Sequence, residues 1–122
     1  MTTSFEPLRD LAHLESLIAG SFDRPLLIFK HSRSCGTSHV AREELLAHLA
    51  DAPRDATYVM LTVQEQRDLS DAIARHFSLR HETPQALVVR DGTVAGSGAH
   101  FRVTAGALGA ALDAAAAGPA AV

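Results

Sequence analysis

Cys35 is the sequence's single cysteine. It comes shortly after the apolar run Leu26-Leu27-Ile28-Phe29 and just before a helical stripe of Ser38, Ala41, Leu45 and Leu49. A thiol between a buried strand and a helix sits at the helix N-terminus, where free backbone N–H groups and a partial positive charge favour the thiolate. The thiolate is the nucleophile of disulfide exchange. Gly36 removes bulk beside the sulfur, so a second sulfur can approach. Ser38 is placed to cap the turn or to hydrogen-bond the thiolate. From Arg24 to Arg42 there is no Asp or Glu, whereas Arg24, Lys30, Arg33 and Arg42 with His31 and His39 make a local basic island in an acidic chain. Such an island stabilises a thiolate and attracts anionic thiols. The alternative, an inert cysteine packed as a small hydrophobe, does not explain why strand, Ser/Gly-rich loop, helix start and basic residues converge on it.

With one cysteine no internal disulfide can form, so any exchange reaction must be completed by an external thiol. Thr83-Pro84 precedes a third apolar run, Ala86 to Val89, and proline fits the first residue of a strand. The sequence does not choose the isomer of that peptide bond. Cys35, His31 and His39 have spacings that permit ligation, but four zinc ligands do not emerge and no metal site is expected. His13 and His48 are expected on helix surfaces, and His76 and His81 are given no special role. There is no phosphate-cradling Gly loop and no GxSxG elbow.

The elements that must position these residues follow from periodicity. Leu11, Leu14, Leu17 and Ile18 predict a first helix, capped by Asp10 and stopped by Gly20. Leu26–Phe29 predicts a strand buried on both faces. The Ser38–Leu49 helix is closed by Pro53, Tyr58–Val63 predicts a second strand, and Ser70–Phe77 a helix. Ala86–Val89 and Thr93–Ala95 predict a hairpin about Asp91-Gly92, and Thr104 caps a last helix with Leu108 and Leu112. The order α, β, α, β, α, β, β, α predicts an α/β domain with a central mixed four-stranded sheet flanked by helices.

The 122 residues fit one domain, 1–122, with an ordered core over 8–117 and a frayed tail at 118–122. At 47% hydrophobic and 20% charged, the chain can bury a core, built from Leu, Val, Ile and Ala because it has one Tyr, five Phe and no Trp. A net charge of −3 argues against nucleic acid as a partner. No basic segment followed by an apolar run opens the chain and no apolar stretch reaches about 18 residues, so no membrane partner is expected and the expected location is the cytoplasm.

Phe29-Lys30-His31-Ser32-x-x-Cys35-x-x-Ser38 resembles the FKHSxxCxxS signature of the YtxJ-like monothiol bacilliredoxins. Thr83-Pro84-Gln85, with the apolar strand and Asp91-Gly92 after it, resembles that family's TPQ segment. His100 before Val103-Thr104 resembles the His preceding its last helix. The likeness runs from about Leu11 to Leu112. It implies a thioredoxin-like fold, Cys35 as the active-site thiol, a cis Pro84, and Lys30, His31, Gly36, Thr37, Ser38, Thr83 and Pro84 around the substrate. It also implies bacillithiol as co-substrate, with no tightly bound cofactor. Cys35 would attack the bacillithiol sulfur of an S-thiolated protein, release the target thiol, and hold bacillithiol until a second thiol removed it. Candidate regenerating partners are a low-molecular-weight thiol, a reductase or a second bacilliredoxin. Ser38 stands where a dithiol protein has its resolving cysteine.

Two other readings stay open at this level. Cys-Gly-Thr-Ser is similar to the Cys-Gly-Phe-Ser loop of monothiol glutaredoxins, which implies a [2Fe–2S] carrier using Cys35 plus a small thiol. A redox-inert thioredoxin-like binding module is the third.

Overall fold

The computed structural model describes residues 5–51 and 53–116. Asp10 caps helix α1, Leu11–Gly20, its carboxylate accepting from the His13 N–H at 2.8 Å. Strand β2, Leu26–His31, is buried at every residue. Helix α2, Gly36–Asp51, starts two residues before the apolar stripe at Ser38. Strand β3 (Thr57–Thr62), helix α3 (Arg67–His76) and the hairpin β4 (Gln85–Arg90) and β5 (Thr93–Ala99) follow. A 3-10 turn, His100–Arg102, leads into α4, Ala105–Ala116. The expected frayed tail at 118–122 lies outside the described residues. No helix among the described residues is long and apolar enough to cross a membrane.

The sheet has five strands, not the four expected. Its order is β1-β3-β2-β4-β5, and the added strand β1, Glu6–Pro7, pairs in parallel with Val59 and Met60 of β3. Two exposed residues, one a proline, carry no alternating pattern to read, and an edge position tolerates the missing N–H. Strands β1, β3 and β2 are parallel; β4 and β5 run antiparallel to their neighbours.

Alternation along β2 explains the two-sided core. Leu27 and Phe29 pack with Ala41, Leu45 and Leu49 of α2 and with Leu108 and Leu112 of α4. Leu26 and Ile28 pack with Leu14 of α1 and Leu69 and Ile73 of α3. Each such side chain fully removed from water stabilises the fold by about 1.5–3 kcal/mol. At one end of the sheet, Asp91 and Gly92 both have positive φ, as a two-residue hairpin turn requires. Their N–H groups donate to the carbonyl and hydroxyl oxygens of buried Ser21, each at 2.9 Å, fastening the hairpin to the end of α1.

The other end carries the site. His31 of β2 lies beside Thr62 of β3, and Lys30 pairs with Gln85 of β4, so the same register carried one residue further sets Pro84 opposite His31. Gln85 pairs with Ala99, and the His100 N–H donates to the Pro84 carbonyl at 2.9 Å. Loops leaving the carboxyl ends of parallel strands are where open α/β sheets bind ligands.

Candidate active site

Cys35 immediately precedes α2. Its carbonyl accepts the first helical hydrogen bonds, from Ser38 N–H at 3.1 Å and His39 N–H at 3.2 Å, while its own N–H donates to Ser32 O at 3.4 Å. The N–H groups of Gly36 and Thr37 belong to the first helical turn, where geometry offers no carbonyl within the helix. Cys35 is half-buried. Gly36 is exposed, and a Cβ built there would meet nothing within 4 Å. The sulfur-bearing residue therefore lies at the positive end of a 16-residue helix with open space beside it.

Ser38 is wholly buried, and its hydroxyl is committed to the loop. The Ser32 N–H donates to Ser38 Oγ at 2.9 Å, and His31 Nδ1 lies 2.8 Å from the same oxygen. Burial above all, then the nearby charges of His39 and Arg42, holds the His31 pKa below its ordinary value against the opposing Ser38 hydrogen bond. His31 is therefore uncharged at neutral pH and gives the turn a dipole rather than the positive charge expected of a basic island.

The island is thinned in other ways. Arg33 pairs with Glu65 at 2.6 Å and Arg24 with Asp55 at 3.6 Å, acids that the fold brings from beyond the acid-free stretch. Lys30 is completely buried on the α1/α3 side of β2. Its Nζ donates to the Ser70 carbonyl at 3.0 Å and lies 3.3 Å from His81 Nδ1. Burial lowers its pKa to about 8, against the pull of Asp71. Expected as a substrate contact, Lys30 instead braces β2 against α3.

Among the other expected residues, Thr37 and Thr83 are half-buried, Pro84 is buried, and the Thr83–Pro84 peptide is cis. The sheet register brings Pro84 to His31 and hence to the start of the Cys35 loop. Sequence reasoning misses Gln64. Its side-chain oxygen accepts from the Arg33 N–H at 3.1 Å, and its Nε2 donates to Ser32 Oγ at 2.8 Å and Ser34 Oγ at 3.1 Å, clamping the loop before Cys35. A signal exists: Gln64 follows the end of the second strand, and parallel neighbours end side by side. Three histidines also depart from expectation. His13 is buried against Glu6 at 3.0 Å, His48 is buried with Nε2 2.8 Å from Tyr58 OH, and His81 joins Lys30 and Ser70. Among the described residues, no group of three or more His, Cys, Asp or Glu is arranged to hold a metal ion.

A mixed sheet with helices on both faces and a cysteine opening the helix after the central strand define a thioredoxin-like thiol oxidoreductase. A solved structure described as a candidate oxidoreductase with a thioredoxin fold is 30% identical, with TM-score 0.76, over 86% of this chain and 90% of that one. The fold is also shared with a mutant thioredoxin from Halobacterium salinarum, at 15% identity, TM-score 0.72, and 93% and 92% coverage of this chain and that one. Mitochondrial thioredoxin 3 from Saccharomyces cerevisiae matches at 20% identity, TM-score 0.69, and 91% and 95% coverage. The family profile of the monothiol bacilliredoxin BrxC matches residues 6–108, and the chain belongs to that family.

Proposed function

We propose that this chain removes bacillithiol, or a similar low-molecular-weight thiol, from protein mixed disulfides through Cys35, in the reducing interior of the cell. The observation that carries this reading is the position of Cys35, half-buried ahead of α2 beside the open space at Gly36. The thiolate attacks the bacillithiol sulfur of the S-thiolated protein. A new S–S bond forms to Cys35, the old one breaks, and its electron pair leaves on the target sulfur, which takes a proton. A second bacillithiol thiolate then attacks the bacillithiol sulfur held on Cys35. Cys35 returns as a thiolate and bacillithiol disulfide departs, to be reduced by a separate enzyme. Self-resolution is closed because no second cysteine exists and Ser38 occupies the position three residues on.

The test is a bacillithiolated model protein incubated with bacillithiol and either the wild type or Cys35→Ser. Thiol release above the mutant's level, passing through a Cys35–bacillithiol adduct visible by mass spectrometry, is expected. Equal release from both proteins sinks the proposal.

A further inference from the structure

One strand beyond Pro84, a cavity of about 480 Å³ opens between the loop preceding the proline and the end of β5. Arg80, Glu82, Gln85, Ser97, His100 and Arg102 supply its polar wall. We propose that this cavity is the carboxylate-binding subsite for the small thiol, with Arg80 and Arg102 as its anion-binding residues. The inference rests on the bacilliredoxin reading above and assigns the substrate's recognition to residues that reading does not use.

Four observations converge. The volume falls in the range of small-molecule pockets, which run to several hundred Å³. Both arginines are exposed, and neither has an ion-pair partner among the described residues. Guanidinium groups are the side chains suited to bidentate recognition of carboxylates. Glu82, the carboxylate on the wall, is engaged by His100 Nε2 at 3.3 Å. The fourth is Gln85, only 3% exposed. Its Nε2 donates to the Arg80 carbonyl at 3.0 Å, which fixes which end is oxygen, and its Oε1 is buried with no hydrogen-bond partner among the described residues. A buried acceptor without a donor is costly, and because this one is closed to solvent the exposed arginines are the ligand-facing polar groups of the wall.

The cavity is tied to the reacting sulfur through the sheet. Arg80 lies four residues before Pro84. Arg102 ends the turn whose His100 N–H bonds the Pro84 carbonyl, and Pro84 stands opposite His31 at the start of the Cys35 loop. Strands β2, β4 and β5 are consecutive in the sheet, about 4.8 Å from one to the next, so the cavity opens at the same end of the sheet as the Cys35 loop. The ligand chemistry is therefore a small thiol bearing carboxylates. The small thiol is the part common to every thiolated substrate, which favours it over a protein side chain as the occupant.

Binding can be read without catalysis. Cys35→Ser in the full chain is titrated with S-methyl bacillithiol and with S-methyl glutathione, followed by NMR shifts and calorimetry at low and high salt. Binding to one or both is expected, weakening with salt, with shifts at Ser97, His100 and Arg102. The tighter of the two identifies the source of the carboxylates. Adding Arg80→Gln and Arg102→Gln together should weaken binding at least tenfold and flatten the salt dependence, while circular dichroism shows the fold retained. No binding of either probe to Cys35→Ser, or unchanged affinity in the arginine variants, overturns the proposal. If Cys35→Ser binds the probe and the wild type releases no thiol from a bacillithiolated protein, the catalytic reading fails and the subsite stands.

Discussion

His31 Nδ1 lies 2.8 Å from Ser38 Oγ, in the buried layer beneath the turn that carries Cys35. The same oxygen accepts the Ser32 N–H, so one hydroxyl joins the last residue of β2, the loop and α2. Ser38→Ala leaves the Ser32 N–H and the imidazole without this partner in a buried site. A cost of about 1–3 kcal/mol is expected, read as a lower urea midpoint with an unchanged slope.

Ser38→Cys makes a pair of thiols three residues apart at a helix start, the arrangement of Cys-X-X-Cys proteins. The variant is expected to resolve its own mixed disulfide, so the Cys35–bacillithiol adduct shortens in lifetime by at least about tenfold in quenched mass spectrometry, as intramolecular attack replaces a bimolecular step. An adduct as persistent as the wild type's would show that position 38 cannot reach the sulfur.

Gly36 faces open space. Gly36→Leu places a good helix former there, so thermal stability should hold or rise slightly. Exchange with a bacillithiolated protein should slow by about tenfold or more as the side chain covers the approach, equivalent to about 1.4 kcal/mol on the barrier. A stable variant with undiminished rate would place the approach on another side of Cys35.

His31, His48 and His81 all have pKa values below the ordinary histidine value, burial being the largest cause in each. The unfolded chain takes up protons near pH 6.5 while the folded chain resists them, so stability falls as pH drops below about 6.5. Melting temperature should decline between pH 7 and pH 5, and His48→Gln should reduce that decline. A flat profile would contradict the burial of His31 and His48.

For Lys30 the window lies higher. The folded ammonium titrates at about 8 and the unfolded one near 10.5, so stability rises with pH above about 8. Lys30→Met should abolish the rise between pH 8 and 9.5 and raise the melting temperature at pH 7 by about 5 °C or more. An unchanged slope would mean that the ammonium keeps its hydration.

Most of the architecture was legible because β2 opens with an unbroken apolar run, because apolar residues recur at helical spacing in α1, α2 and α4, and because Asp91-Gly92 is an unambiguous turn. β1 was not legible, since two residues ending in proline cannot display a period. Cys35 and Gly36 stand where the strand–loop–helix pattern sets a helix start. The basic island was misread because charge counted along the chain ignores Glu65 and Asp55, which the fold returns to Arg33 and Arg24. Lys30 and the three histidines were misread for a related reason. Polar side chains in a strand or on a helix read as solvated until their partners Ser70, Glu6 and Tyr58 are known, and those partners lie on other elements.

Ser21 reaches the β4–β5 turn across 71 positions of chain. Such a long-range closure costs loop-closure entropy, which the registered strands between its ends offset. Truncating or loosening α1 would then leave a hairpin with an untethered tip at the bottom of the sheet, while the Cys35 turn, assembled from β2, α2 and Gln64, would keep its shape. Hydrogen exchange should distinguish the two ends, with the hairpin tip losing protection first.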